Sequence, residues 1–435
     1  MLDRSLERTL AADRFDGEFV SPRYEDYCLS SVPSTIASIF GLETGRPVLP
    51  RSRRMSKIVA GGPRNVVLMV LDAFGYNSWL ERVSDRGFFH SLTEGGLVFP
   101  ITTIFPSATA PALTTLSTGV TPQEHGLPEW YVYMKELDMT IATLPFSPFG
   151  ERQRETLAGK VSPRILFSRK TLFNMLERSG IDSLSLIPRP IADSTYTQLA
   201  MSGSRVVQYR SLAEFAVKIR KHLSGVRRRS LIYAYWDSFD SIGHTYGPKT
   251  DEWEAEISSF SHVLGHELVG RVDRETAGKT LLIVTADHGQ VKVSPSNAVY
   301  LNEYPEVVSS FKKSVHGRTI LPSWNPRDVA LHVIDDRVDE VQSVLKRSLG
   351  KKAVVLKTRE AVRLGLFGIN KPSKRFLDRA GDLLILPRKK NMVWYDYGGG
   401  RKLHHLGVHG GLSRDEMLIP FAVSRLSELK DVGFQ

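Results

Sequence analysis

Cysteine is almost absent. Cys28 stands alone among 435 residues, so no disulfide can close within the chain. That usage suits a reducing compartment. No apolar run approaches the roughly 20 residues of a membrane-spanning helix. The stretch from Met1 to Arg8 lacks the apolar segment of a signal peptide. These absences together lead to the expectation of a soluble cytoplasmic protein. There is also no internal repeat and no low-complexity tract, which excludes solenoid and linker-like chains. Acidic charge falls short of basic, leaving a net charge of +11, and such a balance favours anionic partners. The basic residues are nevertheless scattered, as in Arg51, Arg53 and Arg54, Arg227 to Arg229, and Arg388 to Lys390. No basic stripe interleaved with aromatics emerges, so no specific nucleic-acid partner is predicted.

What the chain does have is a set of short apolar runs that each end on an acid. Hydrophobic residues make up 41% and charged residues 24%, a globular balance. Lys279 to Thr285 is a continuous apolar run of the kind buried on both faces of a parallel sheet. It ends at Ala286-Asp287-His288-Gly289. Asn65 to Leu71 is a second such run, ending at Asp72. Leu231 to Trp236 is a third, ending at Asp237 and leading into Asp240 and His244. In open α/β sheets ligands sit beyond the carboxyl ends of the strands, where these residues fall. Asp240 and His244 are four apart, so one helical turn would point both the same way. Read singly, Asp72 is an ordinary helix cap, and Asp287-His288 a polar turn.

Two other stretches add to the set. Phe105-Pro106-Ser107-Ala108-Thr109-Ala110-Pro111 carries a helix start, with Pro111 in the first turn and Thr109 near the N-cap. A hydroxyl there meets free N–H groups and the positive helix end, which favour an anion. Ser107 is a rival hydroxyl. Near the C-terminus, His409 lies among glycines in Val408-His409-Gly410-Gly411, while His404 and His405 compete for a ligand role. The alternation of strands and helices through residues 131–230 supports an α/β class. Segments 329–334, 353–356 and 382–387 read as strands of a separate lobe, and the chain divides into an N-terminal arm (1–60), a core (61–302), an inserted lobe (303–395) and a C-terminal return (396–435). Residues 417–423 read as a strand rejoining the main sheet.

The pooled candidates offer three carboxylates and three imidazoles, about what two four-coordinate cations with open positions require. Oxygen and nitrogen ligands without cysteine suit zinc, with manganese or iron as alternatives, better than calcium. In these motifs and their order, together with Thr118-Gly119-Val120-Thr121-Pro122-Gln123-Glu124-His125-Gly126, the chain resembles the type I phosphodiesterase and nucleotide pyrophosphatase branch of the alkaline phosphatase superfamily. The resemblance implies a three-layer αβα sandwich with a mostly parallel central sheet and a smaller inserted lobe. It implies that Asp240, His244 and His409 hold one zinc and that Asp72, Asp287 and His288 hold the other. Thr109 would bind that second zinc and attack phosphorus, giving a phosphothreonine intermediate.

The substrate pocket departs from the pattern. Nucleotide-cleaving members carry Lys-Thr-Phe where this chain has Ala108-Thr109-Ala110, and Ala110 cannot stack on a base. Where they place a phosphate-binding Asn, this chain has Glu129-Trp130. Trp130 is a candidate substrate contact, with Tyr246 a further aromatic candidate, and Glu129 would repel a phosphate unless paired. The expected activity is hydrolysis of phosphodiester or pyrophosphate bonds in a small phosphate ester. A phosphomonoesterase or phosphonate hydrolase on the same core, or a degenerate polyanion-binding protein, are the alternatives.

Overall fold

The computed structural model describes residues 2, 4–12, 14–398 and 403–432. In the glycine-rich stretch from Tyr395 to Arg401, Gly399, Gly400 and Arg401 lie outside the described residues. The chain is built on a seven-stranded sheet. In chain order its strands are β1 (Asn65–Leu71), β2 (Leu97–Thr102), β3 (Asp182–Pro188), β4 (Arg205–Tyr209), β5 (Ser230–Trp236), β6 (Thr280–Thr285) and β7 (Leu418–Arg425). Across the sheet they lie in the order β2-β7-β6-β1-β5-β3-β4. The three acid-terminated runs are therefore neighbours, with β1 between β6 and β5. Every residue of β1, β5 and β6 is buried, so both faces are covered, as continuous Val/Leu/Ile runs require.

Direction matters more than order. β6, β1, β5, β3 and β4 pair in parallel. β7 pairs antiparallel with both β6 and β2, so β2 runs with the majority and β7 alone is reversed. Leu71 is level with Trp236, and Val70 with Thr285. The residues following β1, β5 and β6 thus emerge together at one edge. Because β7 is reversed, the segment leading into it arrives at that same edge, and that segment carries His409.

Between β6 and β7 the chain forms a second, three-stranded antiparallel sheet from Val329–Leu331, Leu383–Pro387 and Ala353–Lys357. Helix Val338–Leu349 accompanies it, and Leu331, Val341, Leu345, Val355 and Ile385 share a separate apolar cluster. In the N-terminal stretch, Cys28, Val32, Ile36 and Phe40 join the cluster that contains β1. A helix over Asp251–Val263 leads towards β6 and continues as a π-helical turn over Leu264–Gly270. No helix among the described residues is long and apolar enough to cross a membrane.

Two basic residues are not solvated. Arg327 and Arg379 are fully buried. Arg327 makes a bidentate pair with Glu416, Nε–Oε1 at 2.9 Å and Nη2–Oε2 at 2.7 Å. Glu416 also accepts the Gly411 N–H at 3.0 Å, so this pair fixes the backbone just beyond His409. Arg379 donates to the carbonyls of Gly126, Ile165 and Leu166. Buried guanidiniums of this kind survive only where carbonyl and carboxylate acceptors replace water.

Candidate active site

The seven residues singled out as ligands or nucleophile come together at the edge just described. Asp72 directly follows β1. Asp287 and His288 follow β6. Asp240 and His244 sit one turn apart on helix α2 (Ser238–Tyr246), which leaves the end of β5. His409 precedes β7, next to the short pair Val291–Lys292 with Gly407–Val408. Thr109 opens helix α1 (Thr109–Thr118). Ala108 is the N-cap of α1, so Thr109 is its first helical residue and its hydroxyl is free of capping duty. Asp72 is no helix cap either, since the following helix, Tyr76–Leu80, is capped by Gly75.

The three imidazoles share one arrangement. His244 Nδ1 lies 2.7 Å from the Gly407 carbonyl, His288 Nδ1 3.0 Å from that of Gly289, and His409 Nδ1 3.2 Å from that of Ser107. A carbonyl only accepts, so each Nδ1 donates and each neutral ring keeps its lone pair on Nε2. All three Nε2 atoms face carboxylates. His244 Nε2 is 3.2 Å from Asp240 Oδ2, His409 Nε2 is 3.8 Å from Asp240 Oδ1, and His288 Nε2 is 3.4 Å from both Asp72 Oδ1 and Asp287 Oδ2. The rings of His288 and His409 stack at 3.8 Å between centroids. Thr109 Oγ1 is 3.1 Å from His288 Nε2.

Two groups of side chains have ligand atoms within 4.8 Å of one another: Asp240, His244 and His409; and Asp72, Asp240 and His288. Asp240 belongs to both. Asp287 is tied in differently. Its Oδ1 accepts the N–H groups of Ala73 (3.1 Å) and His288 (2.8 Å), while its Oδ2 is buried without a hydrogen-bond partner among the described residues. Asp72 Oδ1 is orphaned in the same way. Orphaned carboxylate oxygens at this depth carry a large penalty unless a cation or proton meets them. Burial pushes the Asp72 carboxyl far up, and the nearby Asp287 and Asp240 push it further. Burial also raises Asp287. Burial opposes ionisation of Asp240 too, but His244, His409 and His288 outweigh it and hold that carboxyl below its usual range. Burial and the neighbouring His288 drive His409 far down, towards the neutral ring. Burial lowers His244, but the adjacent Asp240 outweighs it and raises that imidazole; a divalent cation bound here would displace its proton and meet the crowded carboxylates.

Around this set stand residues that the sequence did not flag. The Tyr235 hydroxyl donates to Asp72 Oδ2, and Gln290 Nε2 donates to Asp240 Oδ1 at 2.9 Å. Tyr235 reads as a core residue within an apolar strand, so its role has no sequence signal. Gly289 has a physical reason: a Cβ there would lie 1.9 Å from the Asp415 carbonyl oxygen, so only glycine allows this approach. Ser107, the rival hydroxyl, is spent. Its Oγ donates to Gly411 O at 2.6 Å and accepts from Gly410 N at 3.2 Å. His405 packs edge-on against His244 at 4.5 Å between centroids and lies outside both ligand groups.

A cavity of about 230 Å³ opens on Thr109, Asp72 and Asp240. Trp130 lines it, with Leu113, Leu144, Ile187, Met201 and Tyr235. Tyr246 is outside the cavity wall and 46% exposed. Glu129 is not in the wall either. It is fully buried, accepts the Trp130 N–H, and burial raises its carboxyl to about 8, so the expected repulsion of a phosphate does not arise.

The profile of type I phosphodiesterase / nucleotide pyrophosphatase matches residues 66–412. The chain belongs to this family. Its members are metal-dependent hydrolytic enzymes. Human ectonucleotide pyrophosphatase/phosphodiesterase family member 5 is 22% identical over 243 residues, 55% of this chain and 48% of that protein. The chain spans about half the length of the curated relatives it matches. Murine ectonucleotide pyrophosphatase/phosphodiesterase 5 superposes with a TM-score of 0.62 at 19% identity, covering 82% of this chain and 87% of that one. Phosphonoacetate hydrolase of Sinorhizobium meliloti 1021, solved with phosphonoformate, gives 0.57 at 19% identity, over 83% and 90%. These likenesses bear out the mixed α/β fold with a large, mostly parallel central sheet.

Proposed function

We propose that this family member hydrolyses phosphodiester or pyrophosphate bonds of small substrates, with Thr109 as nucleophile and two divalent cations, zinc first, held by Asp72, Asp240, His244, Asp287, His288 and His409. One observation carries the reading: three imidazoles, each fixed through Nδ1 to a backbone carbonyl, converge with three carboxylates beside one threonine hydroxyl. Such anchoring selects the tautomer and orientation that ligation requires. The orphaned oxygens of Asp72 and Asp287 fit the same reading. When bound, the cations would lower the hydroxyl pKa and neutralise charge on the phosphoryl oxygens.

The chain's own residues do the rest. Thr109 presents Oγ1 from the first turn of α1, where the helix end favours developing negative charge. Bond formation between Oγ1 and phosphorus expels the leaving oxygen. Water then attacks phosphorus and breaks the Thr109–phosphorus bond, giving two inversions. Tyr235 and Gln290 hold Asp72 and Asp240 in place. Tyr235→Phe is expected to lower metal affinity or kcat/KM by roughly tenfold to a hundredfold. Metal titration and initial rates check it, and values equal to wild type would reduce Tyr235 to packing.

The relatives support small phosphoryl substrates. The murine protein has been solved as an inactive threonine-to-alanine variant in complex with AMP, and the Sinorhizobium enzyme with phosphonoacetate. A second reading, hydrolysis of a small phosphonate or monoester, draws support from Ala110 and the size of the cavity. Pockets for drug-sized ligands start at about 300 Å³, above the 230 Å³ here. A cytoplasmic setting is proposed as well, and the lone, buried Cys28 suits a reducing compartment. The test is a panel of bis(p-nitrophenyl) phosphate, p-nitrophenyl phosphate, a nucleotide sugar and phosphonoacetate, assayed with defined metals. Diester cleavage should lead, vanish with chelator and return with zinc or manganese. Chelator-resistant turnover, or none on any substrate, would overturn the proposal.

A further inference from the structure

Arg154 is the only cation in the wall of the cavity that opens on Thr109. It is exposed and makes no ion pair or hydrogen bond among the described residues. Its place is nonetheless fixed by its neighbour. Glu155 donates its N–H to the Pro145 carbonyl at 2.7 Å. The Glu155 carboxylate accepts the Thr195 N–H at 3.2 Å and the Thr195 hydroxyl at 2.5 Å. Glu155 has a backbone φ of +64°, a conformation most side chains avoid and one that a firm set of contacts must hold. These bonds pin the loop to the start of helix Thr195–Ala200, whose Tyr196 and Thr197 also line the cavity. A long, unpaired guanidinium is therefore presented by an anchored loop to the cavity that Thr109 also lines.

The other wall residues explain what it is for. Leu113, Leu144, Ile187 and Met201 offer apolar contact, and Trp130 an aromatic face. Asp72 and Asp240 belong to the cation groups already described. Asp237 is the remaining acid in the wall, and it forms no ion pair with Arg154. The cavity wall thus combines apolar side chains, the proposed phosphoryl-handling residues and one free positive charge. Its volume accommodates a single ring or short chain rather than a large ligand.

We propose that Arg154 reads a second anionic group, a carboxylate or another phosphate, on a small substrate whose apolar or aromatic body fills the cavity. The proposal rests on the reading that phosphoryl chemistry occurs at Thr109, and it names the substrate class of that site. A guanidinium forms charge-assisted, forked bonds to either anion. Partial exposure weakens the gain, so about a tenfold preference is expected.

Two p-nitrophenyl diesters that differ only in the second ester group, phenyl or 4-carboxyphenyl, make the comparison. Wild type should favour the carboxylated diester by about tenfold in kcat/KM. Arg154→Ala should bring that ratio close to one, and Arg154→Lys should restore part of it. Arg152→Ala, an exposed neighbour outside the cavity wall, should leave the ratio unaltered. Calorimetric binding of phenyl phosphate and 4-carboxyphenyl phosphate repeats the comparison without turnover. A wild-type ratio near one in both measurements, or a ratio unmoved by Arg154→Ala, sinks the assignment. No turnover of either diester with a binding preference that depends on Arg154 would instead remove the hydrolase reading and leave Arg154 as an anion contact.

Discussion

Thr109→Ala should reduce turnover of a chromogenic phosphodiester by about three orders of magnitude or more, since loss of a covalent nucleophile removes the reaction path itself. The fold has little reason to notice. The Thr109 hydroxyl contacts His288 Nε2 and does not cap α1, where Ala108 holds the N-cap position. Alanine is also the best helix former. Circular dichroism and metal content should therefore stay close to wild type while activity disappears. Thr109→Ser keeps an oxygen at the same place and should recover a measurable fraction. Turnover in the alanine variant within tenfold of wild type would take the nucleophile role away from Thr109. Ser107 could not easily inherit it, since both its donor and its acceptor capacity are used by Gly410 and Gly411.

Asp240→Ala should have the next largest consequence, because Asp240 is the one side chain shared by both ligand groups. Its Oδ1 faces His409 and its Oδ2 faces His244. Removing it takes an oxygen from each group, so bound metal measured by elemental analysis should fall from about two equivalents to one or fewer. Activity should fall below detection. Asp287→Ala removes a carboxylate that lies outside both groups, 3.4 Å from His288 Nε2, and should spare the cation of Asp240, His244 and His409. Chelation of the wild-type protein should lower its thermal midpoint by several degrees, since ligands that bind only the folded state stabilise it by mass action. It would also leave Asp72 and Asp287 crowded, with protonation as their remaining route to neutrality. Equal metal content in Asp240→Ala and wild type would break the ligand assignment.

The main sheet and most of the site were legible because their signals are local. Three apolar runs ending on acids locate β1, β5 and β6, and the four-residue spacing of Asp240 and His244 places both on α2. The arrival of His409 was not legible by any local rule. It depends on β7 running against its neighbours, a property of strand pairing between residues over a hundred positions apart. Tyr235 was invisible for another reason: an aromatic within a buried strand looks like core until its hydroxyl finds a partner. Thr109 was placed near the cap from Pro111, and the helix instead begins at Thr109 itself because Ala108 is extended. The buried charges of Arg327 and Arg379 also escaped composition, which cannot tell a paired guanidinium from a solvated one.

β2 meets the sheet only through β7; its other pairings are isolated bridges from Leu2 and Cys28. Thr109 follows β2 closely, and His409 precedes β7. The strand leading to the reactive hydroxyl is therefore docked by a segment from far along the sequence, and this antiparallel seam exists only once β7 is in place. Such a topology ties the approach to Thr109 and the arrival of His409 to one strand, so damage to β7 reaches both sides of the reactive centre at once.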